Sequence, residues 1–353
     1  MTERVELVPG YSICRVINGL WQLSDGHRTA SIEKNEAQRL LLRLIDAGLT
    51  TFDCADIYLG VEELLGRLNR ELRGSKGSAS AIEIHTKYVP DRSALGTLKR
   101  SDVAAGIERS LERLGVERLD LVQFHWWDYD QPGYLDVAGW LTELKDEGKI
   151  RILGTTNFDR PHLRELVAAG IPIAANQAQY SLLDRRAGRA LTEYCAEQGV
   201  HLLCYGILAG GFLSDRYRHF PEPQPPYENR SLAKYKLIID EFGGWSLFQE
   251  LLDALGEIGK KHSTPIASVA ARWVLEREEV AAVMIGTRSD IHLDSTRQVF
   301  GLRLDEEDTN RIISILDRAT GPLGEPFELE RMPEGPHAKI MWTDLNSRRT
   351  PQD

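Results

Sequence analysis

The sequence is poor in cysteine and contains no long apolar run. Its 353 residues include four cysteines, and these form neither a C-x-x-C pair nor a metal-ligand spacing. Scattered cysteines are typical of free thiols in a reducing compartment. The first residues show no apolar signal region, and no run approaches the roughly 18 apolar residues of a membrane span. These absences predict a cytoplasmic protein with no metal site and no membrane segment.

An excess of positive charge is also missing. The chain has 43 lysines and arginines against 53 aspartates and glutamates, a net charge of −10 and a pI near 5.5. This balance disfavours nucleic acid and anionic membranes as partners. An anionic cofactor would have to be bound by local cations and helix N-termini. The apolar share of 42% and charged share of 27% are those of a soluble globular enzyme.

Short apolar runs alternate with longer segments of helical period along the chain. We predict strands at 16–22, 49–53, 82–87, 119–124, 150–154, 173–177, 201–205 and 280–285. We predict helices at 31–47, 61–73, 101–114, 136–147, 160–169, 186–198, 265–277 and 290–299. Eight such βα units close most economically into a (β/α)8 TIM barrel. A doubly wound open sheet is disfavoured because no G-x-G-x-x-G follows the first strand.

Three segments are added to this barrel. An N-terminal hairpin is expected at about 5–14. Within the barrel, Ser31 and Asp159 are candidate N-caps of the helices that they precede or begin. A long insertion follows the seventh strand, and its residues 207–245 are expected to act as a lid. The basic residues of this segment are available to contact the cofactor phosphates. We expect one barrel domain over 1–320 and a loop-like C-terminal tail over 321–353, which could cover the pocket or a neighbouring subunit.

Four polar residues follow strand-like runs in an order that suits carbonyl reduction. Asp53 closes a strand and Tyr58 follows five residues later, while Lys87 and His125 end the next two strands. In a TIM barrel the chemistry lies at these C-terminal strand ends. A tyrosine beside a lysine that is paired with a carboxylate is a proton donor with a lowered pKa. The four residues predict reduction of an aldehyde or ketone.

The chain resembles the aldo-keto reductase family over roughly residues 5–318. The segments 48–58, 152–158, 176–183 and 205–211 carry the resemblance, and Gly206 stands where the family commonly has serine. The resemblance implies that Tyr58 is the general acid or base, that Lys87 paired with Asp53 lowers its pKa, and that His125 orients the carbonyl.

The resemblance also implies a nicotinamide cofactor. Thr156, Asn157 and Gln177 would bind the carboxamide, and Tyr205 would stack on the ring. The backbone from Leu208 through Phe212, with Gly210 and Gly211, can present N–H groups to the pyrophosphate. Gly286, Arg288 and His292 follow the last strand at the adenosine end. Arg288 suits a 2′-phosphate because its planar fork matches phosphate oxygens, which favours NADP(H) over NAD(H).

The substrate side is rich in aromatic residues. Trp21, Trp126 and Trp127 are expected to line the pocket, where they would stack on a sugar or a planar carbonyl compound; an equally good interpretation is that they anchor loops. The substrate is expected to be a small carbonyl compound or sugar. Two other functions stay open, a regulatory barrel that binds cofactor but turns over slowly, and a barrel lyase or metal-dependent hydrolase. The last is disfavoured because no ligand cluster follows the strands.

Overall fold

The computed structural model describes residues 2–24, 34–76, 82–188 and 190–347. The chain begins with an antiparallel hairpin of β1 (Arg4–Val8) and β2 (Tyr11–Cys14). Eight parallel strands follow: β3 (Val16–Gly19), β4 (Thr51–Asp53), β5 (Glu83–Tyr88), β6 (Leu119–Phe124), β7 (Ile150–Thr156), β8 (Ile173–Gln179), β9 (His201–Tyr205) and β10 (Val280–Gly286). Each pairs with the next and β10 pairs with β3, so the barrel is closed. The predicted TIM barrel with its hairpin is confirmed.

Helices connect and surround the strands. They are α1 (Lys34–Asp46), α2 (Val61–Lys76), α3 (Arg100–Leu114), α4 (Tyr134–Asp146), α5 (Arg160–Ala168), α6 (Ala190–Gln198), α7 (Arg230–Phe242), α8 (Gly244–His262), α9 (Ile266–Leu275), α10 (Leu293–Gly301), α11 (Glu306–Leu316), α12 (Glu328–Arg331) and α13 (Pro336–Lys339). Asp159 caps α5 by accepting a hydrogen bond from the His162 N–H. Ser31 lies outside the described residues. Among the helices of the described ranges, none combines the length and apolar character needed to cross a membrane.

Side-chain alternation along the strands builds two apolar layers. Inward-facing residues of the barrel pack with the hairpin, which closes one end; this layer includes Leu7, Tyr11, Ile13, Ile17, Leu121, Ile152, Ala175, Leu203 and Met284. The opposite faces of the strands pack against the helices in one larger cluster. Because successive strand residues point to opposite faces, polar residues two apart on a strand enter the same interior.

The strand register brings the predicted site residues to one edge of the barrel. In the parallel pairs Lys87 lies opposite Gln123, and Thr156 lies opposite Gln177. Gln179 lies opposite Tyr205 on the next pair. Parallel strands share a direction, so all these residues lie toward the C-terminal end of the barrel, where TIM-barrel enzymes carry their chemistry.

The insertion and the tail differ in detail from the expectation. Gly243 separates α7 from α8, whose first residue is Gly244, and both glycines have positive φ. Four basic side chains of the insertion pair with protein carboxylates: Arg216 with Glu228, Arg218 with Asp253 and Glu257, Lys234 with Glu330, and Lys236 with Glu222 and Asp240. Contact between these basic residues and the cofactor phosphates remains a prediction. The tail, expected to be loop-like, contains the two single-turn helices α12 and α13.

Candidate active site

A buried ion pair lies at the centre of the site. Lys87 Nζ contacts Asp53 Oδ2 at 2.5 Å, and the lysine also donates to the Cys54 carbonyl at 2.9 Å. Both charged side chains are almost completely buried. Burial is the largest single effect and lowers the pKa of Lys87, but Asp53 together with Tyr58 and Cys54 outweighs it and raises the pKa above its ordinary value. The ammonium therefore stays charged inside the barrel mouth.

Tyr58 lies directly beside this pair. Lys87 Nζ is 5.1 Å from the centroid of the Tyr58 ring, and the Trp21 ring lies 4.8 Å from it. Burial raises the pKa of Tyr58 to about 12, while the Lys87 charge acts in the opposite direction. The lysine favours phenolate as expected, but the lowered pKa is not observed, because desolvation outweighs the lysine charge. In this structure the tyrosine holds its proton at neutral pH.

His125 is buried and has a defined tautomer. Its Nδ1 lies 3.1 Å from the Thr156 carbonyl oxygen, which can only accept, so Nδ1 carries the proton. Burial, with the nearby Arg331 charge, lowers the pKa of His125 to about 3, and the ring is neutral. Nε2 is buried and has no hydrogen-bond partner among the described residues. A neutral imidazole with Nδ1–H offers Nε2 as an acceptor.

Two glutamines complete the environment of Asp53. Gln177 donates to Asp53 Oδ1 at 2.7 Å, and Gln123 donates to the same oxygen at 2.9 Å. Gln177 also donates to Gln123 Oε1 at 2.8 Å. The sequence reasoning identified Gln177 but missed Gln123. Its position two residues before His125 was the available signal, since strand residues two apart face the same side.

Tyr205 and Asn157 form one unit on the other side of the mouth. The Tyr205 hydroxyl donates to Asn157 Oδ1 at 2.8 Å, and Asn157 adopts the left-handed conformation that asparagine tolerates. Tyr205 is followed by Gly206, whose φ is +72° and whose hydrogen faces the Tyr235 hydroxyl. A Cβ at position 206 would lie 2.4 Å from that oxygen, so the usual serine does not fit here.

The backbone turn after Tyr205 also packs on α7. Gly210 has a φ of +65°, and a Cβ there would lie 2.9 Å from the Tyr235 ring. Gly210 therefore lies in close contact with Tyr235 of α7, and the position requires glycine. The carbonyl of Leu208 accepts from the N–H groups of Gly211 and Leu213, so the turn is internally bonded.

The residues after β10 lie at the surface. Gly286, Arg288 and His292 are all exposed, and His292 precedes α10. Arg288 forms no salt bridge within the four described ranges, so its guanidinium faces solvent. A Cβ at position 286 would lie 2.3 Å from Nε2 of Gln22, the end of a flexible side chain.

The three tryptophans do not lie together. Trp127 contacts the site, with its ring 4.4 Å from the His125 ring and its indole N–H donating to the Pro90 carbonyl. Trp21 packs on Tyr58. Trp126, expected to line the pocket, is completely buried and packs against Phe124 and Tyr134. Its position behind the mouth makes it a loop anchor, the other interpretation of these aromatics.

The C-terminal tail covers the site, which the sequence had left undecided. The Phe327 ring stands perpendicular to the His125 ring with centroids 5.3 Å apart, and Phe327 is buried. Arg331 Nη2 donates to the carbonyls of Trp126 and Asn157, both at 2.9 Å, and to the Tyr129 hydroxyl at 3.1 Å. The tail therefore contacts the segments that follow the neighbouring strands β6 and β7.

A buried ionic cluster of Asp184, Arg186, Lys234 and Glu330 fixes the tail to the insertion and the barrel. Glu330 Oε1 lies 2.8 Å from Lys234 Nζ, and its other oxygen lies 3.9 Å from Arg186, which in turn binds Asp184. Burial raises the pKa of Glu330, but Lys234 and Arg186 outweigh it and lower the pKa to about 2. Lys234 Nζ also lies 5.6 Å from the ring centroid of Tyr205.

Comparison with known proteins places this geometry among known enzymes. The model of the Aldo/keto reductase family matches residues 15–317. Aldo-keto reductase YhdN of Bacillus subtilis is 25% identical over 90% of this chain and 95% of its own length. L-glyceraldehyde 3-phosphate reductase of Escherichia coli is 26% identical over 79% of this chain and 82% of its own.

A solved structure of glycerol dehydrogenase from Gluconobacter oxydans has the same fold. It superposes with a TM-score of 0.75, covers 92% of this chain and 97% of its own, and is 24% identical. Together with the closed eight-stranded barrel, the family match over most of the chain settles the class of chemistry. The chain belongs to the aldo-keto reductase family, whose members are oxidoreductases that act on carbonyl groups with a nicotinamide cofactor.

Proposed function

We propose that this chain transfers hydride between NADP(H) and a small aldehyde, ketone or sugar, with Tyr58 as the general acid for reduction and base for oxidation. The observation that carries the proposal is the buried Lys87–Asp53 pair beside Tyr58. A cation fixed next to a phenol stabilises the phenolate that remains after proton transfer. Asp53 holds the lysine charged, and the two glutamines hold Asp53.

The residues at the mouth fit a nicotinamide. The buried Nε2 of His125 has no partner among the described residues, and the Tyr205 ring is braced by Asn157. When bound, the cofactor supplies the hydride. Tyr205 would stack on the ring, and Thr156, Asn157 and Gln177 would bind the carboxamide. Gln177 directs its NH2 group to Asp53, which leaves its amide oxygen for the ligand.

The tautomer of His125 gives it a specific role in this proposal. A neutral ring with Nδ1 bound to a carbonyl cannot donate from Nε2. We infer that Nε2 accepts a hydrogen bond from a ligand donor other than the reacting hydroxyl, because the single hydrogen of that hydroxyl passes to or from Tyr58. The carbonyl oxygen itself would receive its hydrogen bond from Tyr58.

The cofactor preference rests on the loop after β10. The exposed guanidinium of Arg288, together with Gly286 and His292, would bind the adenosine end, and a 2′-phosphate gives the arginine a partner that NADH lacks. We also propose that backbone groups between Leu208 and Gly210 face the pyrophosphate. The named L-glyceraldehyde 3-phosphate reductase relative supports a small polar aldehyde as substrate.

The test is a nicotinamide absorbance assay with a panel of aldehydes and sugars, using NADPH and NADH. We expect oxidation of NADPH by at least one carbonyl compound. Tyr58→Phe should reduce turnover by about two to four orders of magnitude without weakening cofactor binding. Tyr194→Phe, which alters a partly buried tyrosine of α6, is the matched control. Full activity in Tyr58→Phe would contradict the assignment.

A second function is favoured by the tail. Phe327 and Arg331 cover His125, and Lys234 lies over Tyr205, so the site is closed in this structure. A regulatory barrel that binds cofactor and turns over slowly would need such a cover. Tight NADPH binding without turnover of any carbonyl compound in the panel would favour this function over the reductase.

A further inference from the structure

Arg331 is a cation that the tail brings into the active site. One nitrogen, Nη2, donates to three oxygens, while Nε and Nη1 are buried and have no hydrogen-bond partner among the described residues. The two faces of the guanidinium are covered by the rings of Tyr129 and Phe327, with centroids 4.2 and 5.0 Å away. Two of its three nitrogens, Nε and Nη1, are therefore shielded from solvent and have no hydrogen-bond acceptor within the described part of the chain.

The charge of Arg331 is also uncompensated. The carboxylate next to it in sequence, Glu330, binds Lys234 and Arg186, and Asp53 binds Lys87. Within the ranges that the structure describes, Arg331 itself forms no salt bridge with a carboxylate. Arg331 is half-buried, and leaving its two buried N–H groups, Nε and Nη1, without acceptors is costly. If Arg331 served only to fix the tail, the three hydrogen bonds of Nη2 would be sufficient.

We propose that Arg331 binds an anionic group of the substrate, a carboxylate or a phosphate, close to the reacting carbonyl. This inference rests on the proposed reductase function and specifies its substrate class. Arg331 and His125 both contact Phe327, and two of the three oxygens that Arg331 binds belong to the residues directly after His125 and Thr156. An acidic group on the substrate would receive the free N–H donors, whose planar arrangement suits carboxylate and phosphate oxygens.

The experiment compares substrates that differ only in the anion. The pairs are 3- and 4-formylbenzoate with their methyl esters, and glyceraldehyde 3-phosphate with glyceraldehyde. The first two pairs test a carboxylate and the third a phosphate. The wild-type kcat/KM should favour the acid in at least one pair. Arg331→Gln should lower that preference about 10- to 100-fold, as expected for loss of a charge-assisted contact.

The ratio of acid to neutral substrate separates recognition from tail docking. Arg331→Gln also loses the ties to three oxygens, but a loosened tail changes kcat/KM for both members of a pair equally. Arg331→Lys keeps the charge and should retain part of the preference. Arg311→Gln removes an exposed arginine of α11 and should leave the ratio unchanged. No wild-type preference, or the same ratio in Arg331→Gln, overturns the proposal.

A binding measurement keeps the inference testable without turnover. Benzoate and benzamide are titrated against the protein with NADPH, following tryptophan fluorescence, since Trp127 lies beside Phe327 and the Trp126 carbonyl contacts Arg331. Benzoate should bind about 10- to 100-fold more weakly to Arg331→Gln, with benzamide unaffected. If the methyl esters are reduced but the preference for the acid and its loss in Arg331→Gln are both missing, the inference about Arg331 fails while the proposed reductase function stands. If nothing is reduced, the proposed function fails and benzoate binding decides the inference.

Discussion

Glu330→Gln should release the tail from the active site. The carboxylate is buried with 6% of its surface exposed, and it neutralises Lys234 and part of Arg186. The neighbouring charges lower the pKa of Glu330 from 4.5 to about 2. At about 1.4 kcal/mol per pKa unit, the ionised form is stabilised by roughly 3 kcal/mol in the folded state. Removing one partner of a buried ion pair costs about 3–5 kcal/mol, so the two magnitudes agree.

The measurement is amide hydrogen exchange of residues 322–339 in the wild type and the variant at pH 7. A loss of about 3 kcal/mol in local stability should speed exchange there by about a hundredfold, since 1.4 kcal/mol is a factor of ten. Glu334→Gln changes an exposed glutamate of the same tail and serves as the control. Exchange in Glu330→Gln that matches the wild type would refute the idea that this carboxylate holds the tail.

The dependence on pH provides a second check of the same reasoning. A carboxylate whose pKa is lowered on folding stabilises fully above its unfolded value of about 4.5 and loses that contribution as the pH falls through about 2. The difference in stability between the wild type and Glu330→Gln should therefore be constant from pH 5 to 8 and shrink below pH 4.5. Urea unfolding at several pH values measures it, and a difference that grows toward acid would contradict the assignment.

Three further predictions follow from the site. The pKa of Tyr58 is about 12 and that of His125 about 3, so the rate of reduction should be flat from pH 6 to 10. The rate of oxidation should rise with pH as phenolate forms. A bell-shaped profile centred near pH 7 would contradict these values. Arg288→Ala should weaken NADPH by about 1.5–3 kcal/mol and NADH far less, measured by titration; equal losses would remove the 2′-phosphate contact. NADPH should slow amide exchange across 207–245, and unchanged protection would show that the insertion is not a lid.

The barrel and the central residues could be predicted because local patterns carry them. Asp53 ends β4, Lys87 is the second-last residue of β5 and His125 directly follows β6, and the parallel register then places them at one edge. Gln123 lies two residues before His125, so the alternation of strand side chains also predicts that it faces the site, where it binds Asp53. These features could be predicted because each depends only on residues a few positions apart in the sequence.

The parts that could not be predicted depend on contacts between distant segments. Gly206 is needed because Tyr235 of the insertion packs on it, and no local pattern links the two. The ion pair of Lys234 and Glu330 joins the insertion to the tail in the same way. The lowered pKa of Tyr58 was expected from Lys87 alone, whereas its environment also includes burial that outweighs the lysine. Desolvation is a property of the assembled site.

The tail connects closure of the site to the protonation of its histidine. Arg331 arrives with the tail, and its charge is one of the causes that lower the pKa of His125; the largest is burial, to which the tail also contributes through Phe327. A docked tail therefore favours the neutral ring, and with it Nε2 as an acceptor. If the tail leaves, both causes weaken and the pKa of His125 should move back toward its ordinary value of 6.5. Tail docking and the hydrogen-bonding role of His125 are thus coupled by the same two side chains, Phe327 and Arg331.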